Sequence, residues 1–388
     1  MYEVLTLNKI AKCGLDNLDT NVFTITDEVK NPDAIILRSF KMHDMELGDN
    51  LKCVARAGAG TNNIPIDKCS EKGVVVFNTP GANANAVAEL TIAGLLLASR
   101  KITDAIDWAK TLKGEGDNVG ALVEKGKSAY AGPEILGKKL GVVGLGAIGA
   151  KVANYALSLG MDVIGYDPYI SVDAAWGLSA KVKKCNDLKA LAASCDYISM
   201  HMPLNDGTRG IVNDELFECM EKGTRLLNFS RGELVDTAAL KKAIENGIIA
   251  SYVVDFPCEE TIGMENVINI PHLGASTPES EDNCAVMAAD ELSDFIKYGN
   301  IKNSVNYPNI EADMDSKFRV TIAHQNVPNM LSTFSTIFAN DNINIINMLS
   351  KSKKDNAYTI IDVDSVPAGL VDEISKVEGV CKVRIIEA

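Results

Sequence analysis

The sequence predicts an α/β protein in which two doubly wound parallel sheets are followed by a small βαββαβ unit. Three observations lead there. Short β-rich runs alternate with helical segments as far as about residue 270, a glycine-rich run follows one of those strands and opens a helix, and residues 317–388 switch to a strand, helix, strand, strand, helix, strand order. The chain of 388 residues is too long for one hydrophobic core, so two or three domains are expected.

In chain order, EVLTL, AIILRSF, KCVARAGAG and GVVVFNTP read as strands of a first parallel layer. Residues 85–112 form an apolar-periodic segment long enough to leave that layer for a second unit, with a hinge nearby. From Leu140 the strands resume with LGVVGLG, then a helix over about 147–159, then DVIGYD, DYISMHMP, TRLLNFS, IASYVVDF and NVINIPH. Thr277, Pro278 and Glu279 read as an N-cap, a first-position proline and an acidic first turn, opening a helix that stops near Gly299 and returns to the first unit. The following segment is polar, contains Pro308 and lacks periodicity, so it reads as a linker. The expected division is 1–100 with 274–306 as a discontinuous first domain, 101–273 as the second, 307–316 as linker and 317–388 as the last. That last unit holds no cluster of catalytic groups, so binding or regulation is expected of it.

Composition narrows the function classes. With 46% hydrophobic residues, 23% charged residues and no apolar run of bilayer length, the chain reads as a globular enzyme of the cytoplasm, and its N-terminus has no signal-peptide pattern. The nine cysteines (Cys13, Cys53, Cys69, Cys185, Cys195, Cys219, Cys258, Cys284, Cys381) contain no C-x-x-C pair. They are read as reduced thiols, with no disulfide framework and no metal site. A net charge of −14 makes nucleic acid and anionic membranes poor partners, while a small anionic substrate would need a local arginine cluster.

The run Gly144-Leu145-Gly146-Ala147-Ile148-Gly149 lies between a strand and a helix, the context in which glycines admit a pyrophosphate to a helix N-terminus. At the end of the next strand, Asp167 would accept ribose hydroxyls and repel a 2′-phosphate, which favours NAD over NADP. Of the four histidines, His43 lies in a charged loop, His201 inside a strand and His324 in the last unit. His272 ends the strand NVINIPH at the ligand-binding edge of this topology and is the best general base for alcohol oxidation. Glu259 or Glu260 could stabilise its charged form, and Arg231 offers a bidentate fork to a carboxylate.

RAGAGTNNI at 56–64, GLGAIG, HMPLNDGTRGIVN, NFSRGELVD, VVDFPCEE and PHLGAST together resemble the D-isomer-specific 2-hydroxyacid dehydrogenase family over residues 1–306. The resemblance implies a flavodoxin-like first domain, a Rossmann second domain, and catalytic roles for Arg231, Glu260 and His272. Glu260 follows from an ungapped count from Asp255; a one-residue gap selects Glu259. It also implies that Ala147 and Ile148 lie over the pyrophosphate, that Phe229, Ser230 and Arg231 line the nicotinamide with His272 and Ala275, and that Asp255 bonds the carboxamide. ILRSF, RAGAG and NTPGAN are most similar to the branch that oxidises 3-phospho-D-glycerate, with Arg38, Arg56, Gly58 and Asn83 on the substrate. Residues 317–388 resemble an ACT domain, which implies an L-serine effector on His324, Asn326 and Asn344 and a homo-oligomer, dimer or tetramer. Asn329 stands where that family places glycine. The competing expectations are a dehydrogenase of lactate, glyoxylate or a longer 2-oxo acid, and a non-enzymatic NAD-sensing corepressor or binding module.

Overall fold

The computed structural model describes residues 1–387; Ala388, the last residue of the expected C-terminal unit, lies outside the described residues. The chain divides into two compact units, Met1–Asn83 with Pro278–Ala388, and Ala84–Thr277. No helix among the described residues is long and apolar enough to cross a membrane.

The first unit holds β1 (Tyr2–Leu7), β2 (Phe23–Thr26), β3 (Ala34–Leu37), β4 (Cys53–Arg56) and β5 (Val75–Asn78). They form a wholly parallel sheet in the order β2-β1-β3-β4-β5, the flavodoxin-like arrangement. Its central strand β3 is buried along its length, as its unbroken AIIL run requires. The second unit holds β6 (Lys139–Val143), β7 (Asp162–Tyr166), β8 (Lys183–Lys184), β9 (Tyr197–Met200), β10 (Thr224–Asn228), β11 (Ile249–Val254) and β12 (Val267–Asn269). Their order, β12-β11-β10-β9-β6-β7-β8, is the Rossmann winding, with the sheet reversing between β6 and β9. The predicted doubly wound class holds for both sheets.

Two helices stand where one periodic segment was expected over 85–112. Ala84–Arg100 and Ile102–Thr111 are separated by Lys101, whose φ of 44° breaks the helical ladder. The first of these helices packs within the second unit, where Val87, Ala88, Leu95 and Ala98 share a core with Leu140, Val142 and Phe229. Residues 84–100, expected in the first domain, therefore go with the second.

The last sheet comprises β13 (Phe318–Gln325), β14 (Ile345–Lys353), β15 (Asn356–Val363) and β16 (Val380–Glu387), antiparallel in the order β14-β15-β13-β16. This is the ferredoxin-like topology that the element order predicts. One face packs under the helices Met330–Asn340 and Leu370–Ser375, through Val320, Ile322, Phe334, Phe338 and Ile361. The opposite face is also covered. Ala323, Tyr358 and Ile360 enter the core of the first sheet beside Phe295 and Tyr307.

That docked face carries the charges which alternation along the strands leaves to solvent. Arg319 and Asp362 sit directly opposite each other on β13 and β15, with side chains 0% and 2% exposed. Arg319 uses all five of its donors: Nε and Nη2 reach Asp362 at 2.7 and 3.0 Å, and the others reach the carbonyls of Tyr298, Ala312 and Asp313. Arg384 donates to the carbonyls of Phe295 and Ile296 and stacks on the Phe295 ring. The two arginines thus satisfy the orphan carbonyls at the C-terminus of the helix Pro278–Tyr298 and meet its negative dipole end. Lys382 donates to the carbonyls of Asp49 and Leu51, and burial pulls its pKa down to about 8.

Segment 307–316, expected as a solvated linker, is packed instead. Tyr307 and Ile310 are fully buried, and Ile310 pairs with Ile301 in an isolated bridge. The sequence hides this because the anchoring side chains are too few to make a period.

Arg319→Leu strands Asp362 as a buried carboxylate, so the unfolding free energy of the first unit should fall by about 3–5 kcal/mol. Replacing both residues with leucine should recover most of the loss. Urea denaturation followed by tryptophan-independent circular dichroism measures both; a change below about 1 kcal/mol in the single variant removes the pair as the anchor of the docked face.

Candidate functional site

The glycine-rich turn connects β6 to the helix Ala147–Ser158. Gly144 adopts φ 92°, a left-handed conformation that side-chain-bearing residues rarely take, and its N–H bonds the Tyr166 carbonyl across the sheet. Gly149 lies so close to the Gly144 carbonyl that no Cβ fits between helix and turn. At Gly146 a Cβ would meet nothing, which leaves its outer side open for close approach of a ligand. Gly146 caps the helix without a side-chain hydrogen bond, so its first N–H groups stay available to an anion together with those of Ala147 and Ile148. These features fit a pyrophosphate.

Asp167 follows β7, as expected. Its Oδ2 accepts the Leu145 N–H and its Oδ1 the Tyr169 N–H, both at 2.8 Å. Each oxygen retains acceptor capacity, and the carboxylate is locked to the glycine-rich turn.

The second cluster gathers at the carboxyl ends of β10, β11 and β12. Asn228 is fully buried and donates to the Arg231 carbonyl, while Ser230 donates to the Met200 carbonyl. Phe229 is buried against Gly94 in the helix Ala84–Arg100. The exposed Arg231 guanidinium lies over the Phe256 ring at 5.7 Å, and the same ring lies 4.6 Å from the His272 imidazole. Arg231 and His272 therefore share one aromatic neighbour. Phe256 was not singled out from the sequence, although VVDFPCEE contains it; an apolar residue after a buried strand gives no sign of what it touches.

His272 adopts φ 51°, an uncommon conformation for this residue type. The structure shows what holds it there. Asp255 is 1% exposed, and its two oxygens accept the N–H groups of Leu273 and Gly274 at 2.7 and 2.8 Å. Burial raises the Asp255 pKa, with the two backbone donors and His272 opposing the rise. Asp255 was expected to contact a carboxamide; here both of its oxygens hold the loop that follows His272. Ala275, next in that loop, is half-buried.

The Glu–His pair is not formed. Glu259 and Glu260 are exposed, and the Glu260 pKa is lowered by its own backbone N–H and by the Cys258 thiol, with no ion pair to His272 among the described residues. Their one-turn loop is fastened by Thr261, which donates to Asn269 and receives the Asn269 amide on its carbonyl.

Of the other histidines, His43 is exposed. His201 is half-buried against the glycine-rich turn, with Nε2 on the Ser199 hydroxyl at 2.8 Å and a buried Nδ1 without a partner among the described residues. Burial drives its pKa down to about 3, which suits a packed neutral imidazole and not a base. His324 is 3% exposed, with Nδ1 on the Gln325 carbonyl and Nε2 on the Thr359 hydroxyl. Both nitrogens are occupied, so the expected effector role does not fit this geometry. Asn326 Nδ2 donates to the Lys354 carbonyl, the Asn344 N–H donates to the Asp364 carboxylate, and the Asn344 carbonyl accepts the Asp364 N–H. Asn329 takes φ 69°, the conformation that lets asparagine stand for glycine.

In the first unit, Arg38 follows β3 and Arg56 ends β4. Arg56 Nε and Asn63 Nδ2 both donate to the Arg38 carbonyl, at 3.0 and 3.1 Å. Arg56 Nη1 lies beneath Gly58, where a Cβ would crowd it at 2.9 Å, and in van der Waals range of Gly60. Arg38 Nη1 pairs with Glu281 at 2.6 Å. Asn83 is half-buried at the end of this unit's first segment.

Residues 92–274 match the family model described as D-isomer specific 2-hydroxyacid dehydrogenase, NAD binding domain. D-3-phosphoglycerate dehydrogenase of Methanocaldococcus jannaschii is 34% identical over 304 residues, covering 76% of this chain and 56% of the relative. The enzyme of the same name from Bacillus subtilis is 33% identical over 337 residues, covering 82% and 62%. The chain thus spans less than two thirds of these relatives' length. Among solved structures, the NAD+-bound 3-phosphoglycerate dehydrogenase of Entamoeba histolytica aligns with a TM-score of 0.61 at 26% identity, over 79% of this chain and 98% of that one. D-mandelate dehydrogenase of Rhodotorula graminis aligns with a TM-score of 0.65 at 22% identity, over 78% and 96%, and shares the fold.

The His201 environment predicts a pH dependence. Its folded pKa of about 3 lies below the ordinary 6.5, so the unfolded chain takes up the proton first as pH falls. Stability from this group is present above pH 6.5 and drains away between 6.5 and 3; at pH 5 the loss is about 2 kcal/mol relative to pH 7.5. His201→Gln should flatten this part of the stability profile measured by denaturation at several pH values. An unchanged slope places the titration elsewhere.

Proposed function

We propose that the chain is an NAD-dependent dehydrogenase that oxidises 3-phospho-D-glycerate to 3-phosphohydroxypyruvate, opening serine synthesis, a reading supported by the match of residues 92–274 to the NAD-binding domain model of the D-isomer-specific 2-hydroxyacid dehydrogenases. The observation that supports the chemistry is that Arg231 and His272 both lie against the Phe256 ring, just beyond the ends of three neighbouring strands. The 33–35% identity of the chain to D-3-phosphoglycerate dehydrogenases supports the choice of substrate.

Gly144, Gly146 and the helix N-terminus at Ala147 and Ile148 hold the pyrophosphate, and Asp167 receives the adenosine ribose. NAD, when bound, supplies the nicotinamide that accepts hydride from the substrate carbon. The residues manage the proton and the charges. Arg231 binds the substrate carboxylate with its planar fork, and the Phe256 ring lies 5.7 Å from the guanidinium carbon, within cation–π range. His272 takes the hydroxyl proton, its backbone fixed by the Asp255 contacts to Leu273 and Gly274. For Glu260 to stabilise the resulting imidazolium, its side chain has to turn from Cys258 towards His272. Arg38 and Arg56 receive the phosphate end.

The sheet β13–β16 is assigned an ACT-type regulatory role, with L-serine as its ligand. Asn326 and Asn344 remain for this task, since His324 is internally bonded. The outer edge of β14, with Ile346 52% exposed, offers the surface for a second copy in a homo-oligomer.

Reduction of 3-phosphohydroxypyruvate by NADH should proceed with a kcat/KM well above that for glyoxylate or pyruvate, and His272→Ala should cut kcat by about 10²–10⁴-fold while cofactor fluorescence still reports NADH binding. A preference for an unphosphorylated acid sinks the substrate assignment, and near-native activity of the variant sinks the base. Millimolar L-serine should lower kcat more than it raises KM and should raise the melting temperature of the full chain; no effect on either measure ends the serine assignment.

A further inference from the structure

We infer that Glu281 is a specificity-determining residue at the phosphate end of the site, where its carboxylate offsets the charge of Arg38 and weakens the binding of highly charged substrates. The inference rests on the assignment of Arg38 and Arg56 to that end. Its basis is a single ion pair in a constrained setting. The Arg38 backbone is pinned by two donors on its carbonyl, from Arg56 and Asn63, and by the Asn8 side chain, which accepts the N–H groups of Ser39 and Phe40. From that fixed base the guanidinium reaches Glu281 in the first turn of the helix Pro278–Tyr298, with Nη1 2.6 Å from Oε1.

One of the two cations assigned to the phosphate is therefore already matched by an anion. Both side chains are partly exposed, at 39% and 47%, so the pair opens at little cost and the arginine stays accessible. A phosphate monoester brings a charge of about −1.5 to −2 at neutral pH. Placed on Arg38 it must either displace Glu281 or share the guanidinium with it, and like charges at close range oppose the second arrangement. An uncharged hydroxyl in the same place meets no such opposition. Glu281 also lies in the first turn of the helix, next to the positive end of its dipole.

Glu281→Gln keeps the length and hydrogen-bonding capacity of the side chain and removes only the charge. The ratio of kcat/KM for 3-phosphohydroxypyruvate to that for hydroxypyruvate should rise by about two- to fivefold. Glu281→Asp, which keeps the charge, should stay within about twofold of the parent ratio. In an Arg38→Ala background the glutamine substitution should no longer move the ratio, because the cation it unmasks is gone. As a measure independent of turnover, inorganic phosphate should raise the melting temperature of Glu281→Gln more than that of the parent chain. A ratio that falls or stays within twofold in Glu281→Gln overturns the inference, as does an equal response in the Arg38→Ala background. The substrate assignment is judged separately by the parent chain: if it prefers hydroxypyruvate while Glu281→Gln gains the phosphorylated acid, the role of Glu281 stands and the assignment of 3-phospho-D-glycerate fails.

Discussion

The buried carboxylate of Asp255 is the contact on which the chemical site depends. β11 ends at Val254, so Asp255 is the first residue beyond a strand held on both sides by parallel neighbours, and its position is set by the sheet. With both oxygens on the N–H groups of Leu273 and Gly274, it converts an irregular turn into a fixed one. A histidine at positive φ costs roughly 1–3 kcal/mol, and a pair of charge-assisted hydrogen bonds in a buried setting is large enough to hold it. Gly274 is part of the same arrangement, since a Cβ there would crowd Asp255 and Val87. The backbone that follows His272 is thus held by Asp255, while the Phe256 ring lies against both the imidazole and the Arg231 guanidinium.

Much of the fold was legible because buried parallel strands and glycine-rich turns leave local signatures. AIIL, CVA and VVF are apolar without alternation, as strands covered on both faces must be, and Gly299 with φ 71° stands where the long helix was expected to stop. What could not be read was where elements dock. Arg319, Thr321 and Asp362 alternate with apolar residues on β13 and β15, the pattern of a sheet with one solvated face, yet that face is buried with its charges paired across strands. Periodicity counts polar positions as outward, and only the position of the carbonyls at 298, 312 and 313 reveals that they are inward and satisfied.

The candidate site divides in the same way. Gly144, Gly149, Asp167, Arg231 and His272 stand at strand ends or helix starts, where topology alone determines which way a residue faces. The roles of Asp255, Phe256 and His324 depend on partners between one and thirty-five positions away, and sequence pattern does not carry that information. For His324 the resemblance of its loop to an ACT ligand loop suggested a ligand contact, whereas burial and two internal hydrogen bonds make it part of the core. Glu260 is a different case. Its spacing from Asp255 matches the family pattern, but Thr261 and Asn269 hold its loop in an arrangement that leaves the carboxylate away from the base.

The first unit is assembled from the two ends of the chain, and this has a bearing on synthesis. Its core joins Val4, Ile36 and Cys53 to Ala285, Leu292, Phe295 and Ile301, and adds Tyr358 and Ile360 from the last sheet. Residues 84–277 make a complete unit of their own and can condense as soon as they leave the ribosome, which moves at roughly 5–20 residues per second. The strands at the N-terminus emerge earlier but lack the helix that covers them until some two hundred further residues have been made, on the order of 10–40 s. During that interval the apolar runs AIIL and VVVF are uncovered, so the nascent chain is most exposed to chaperones and to self-association through its oldest segment.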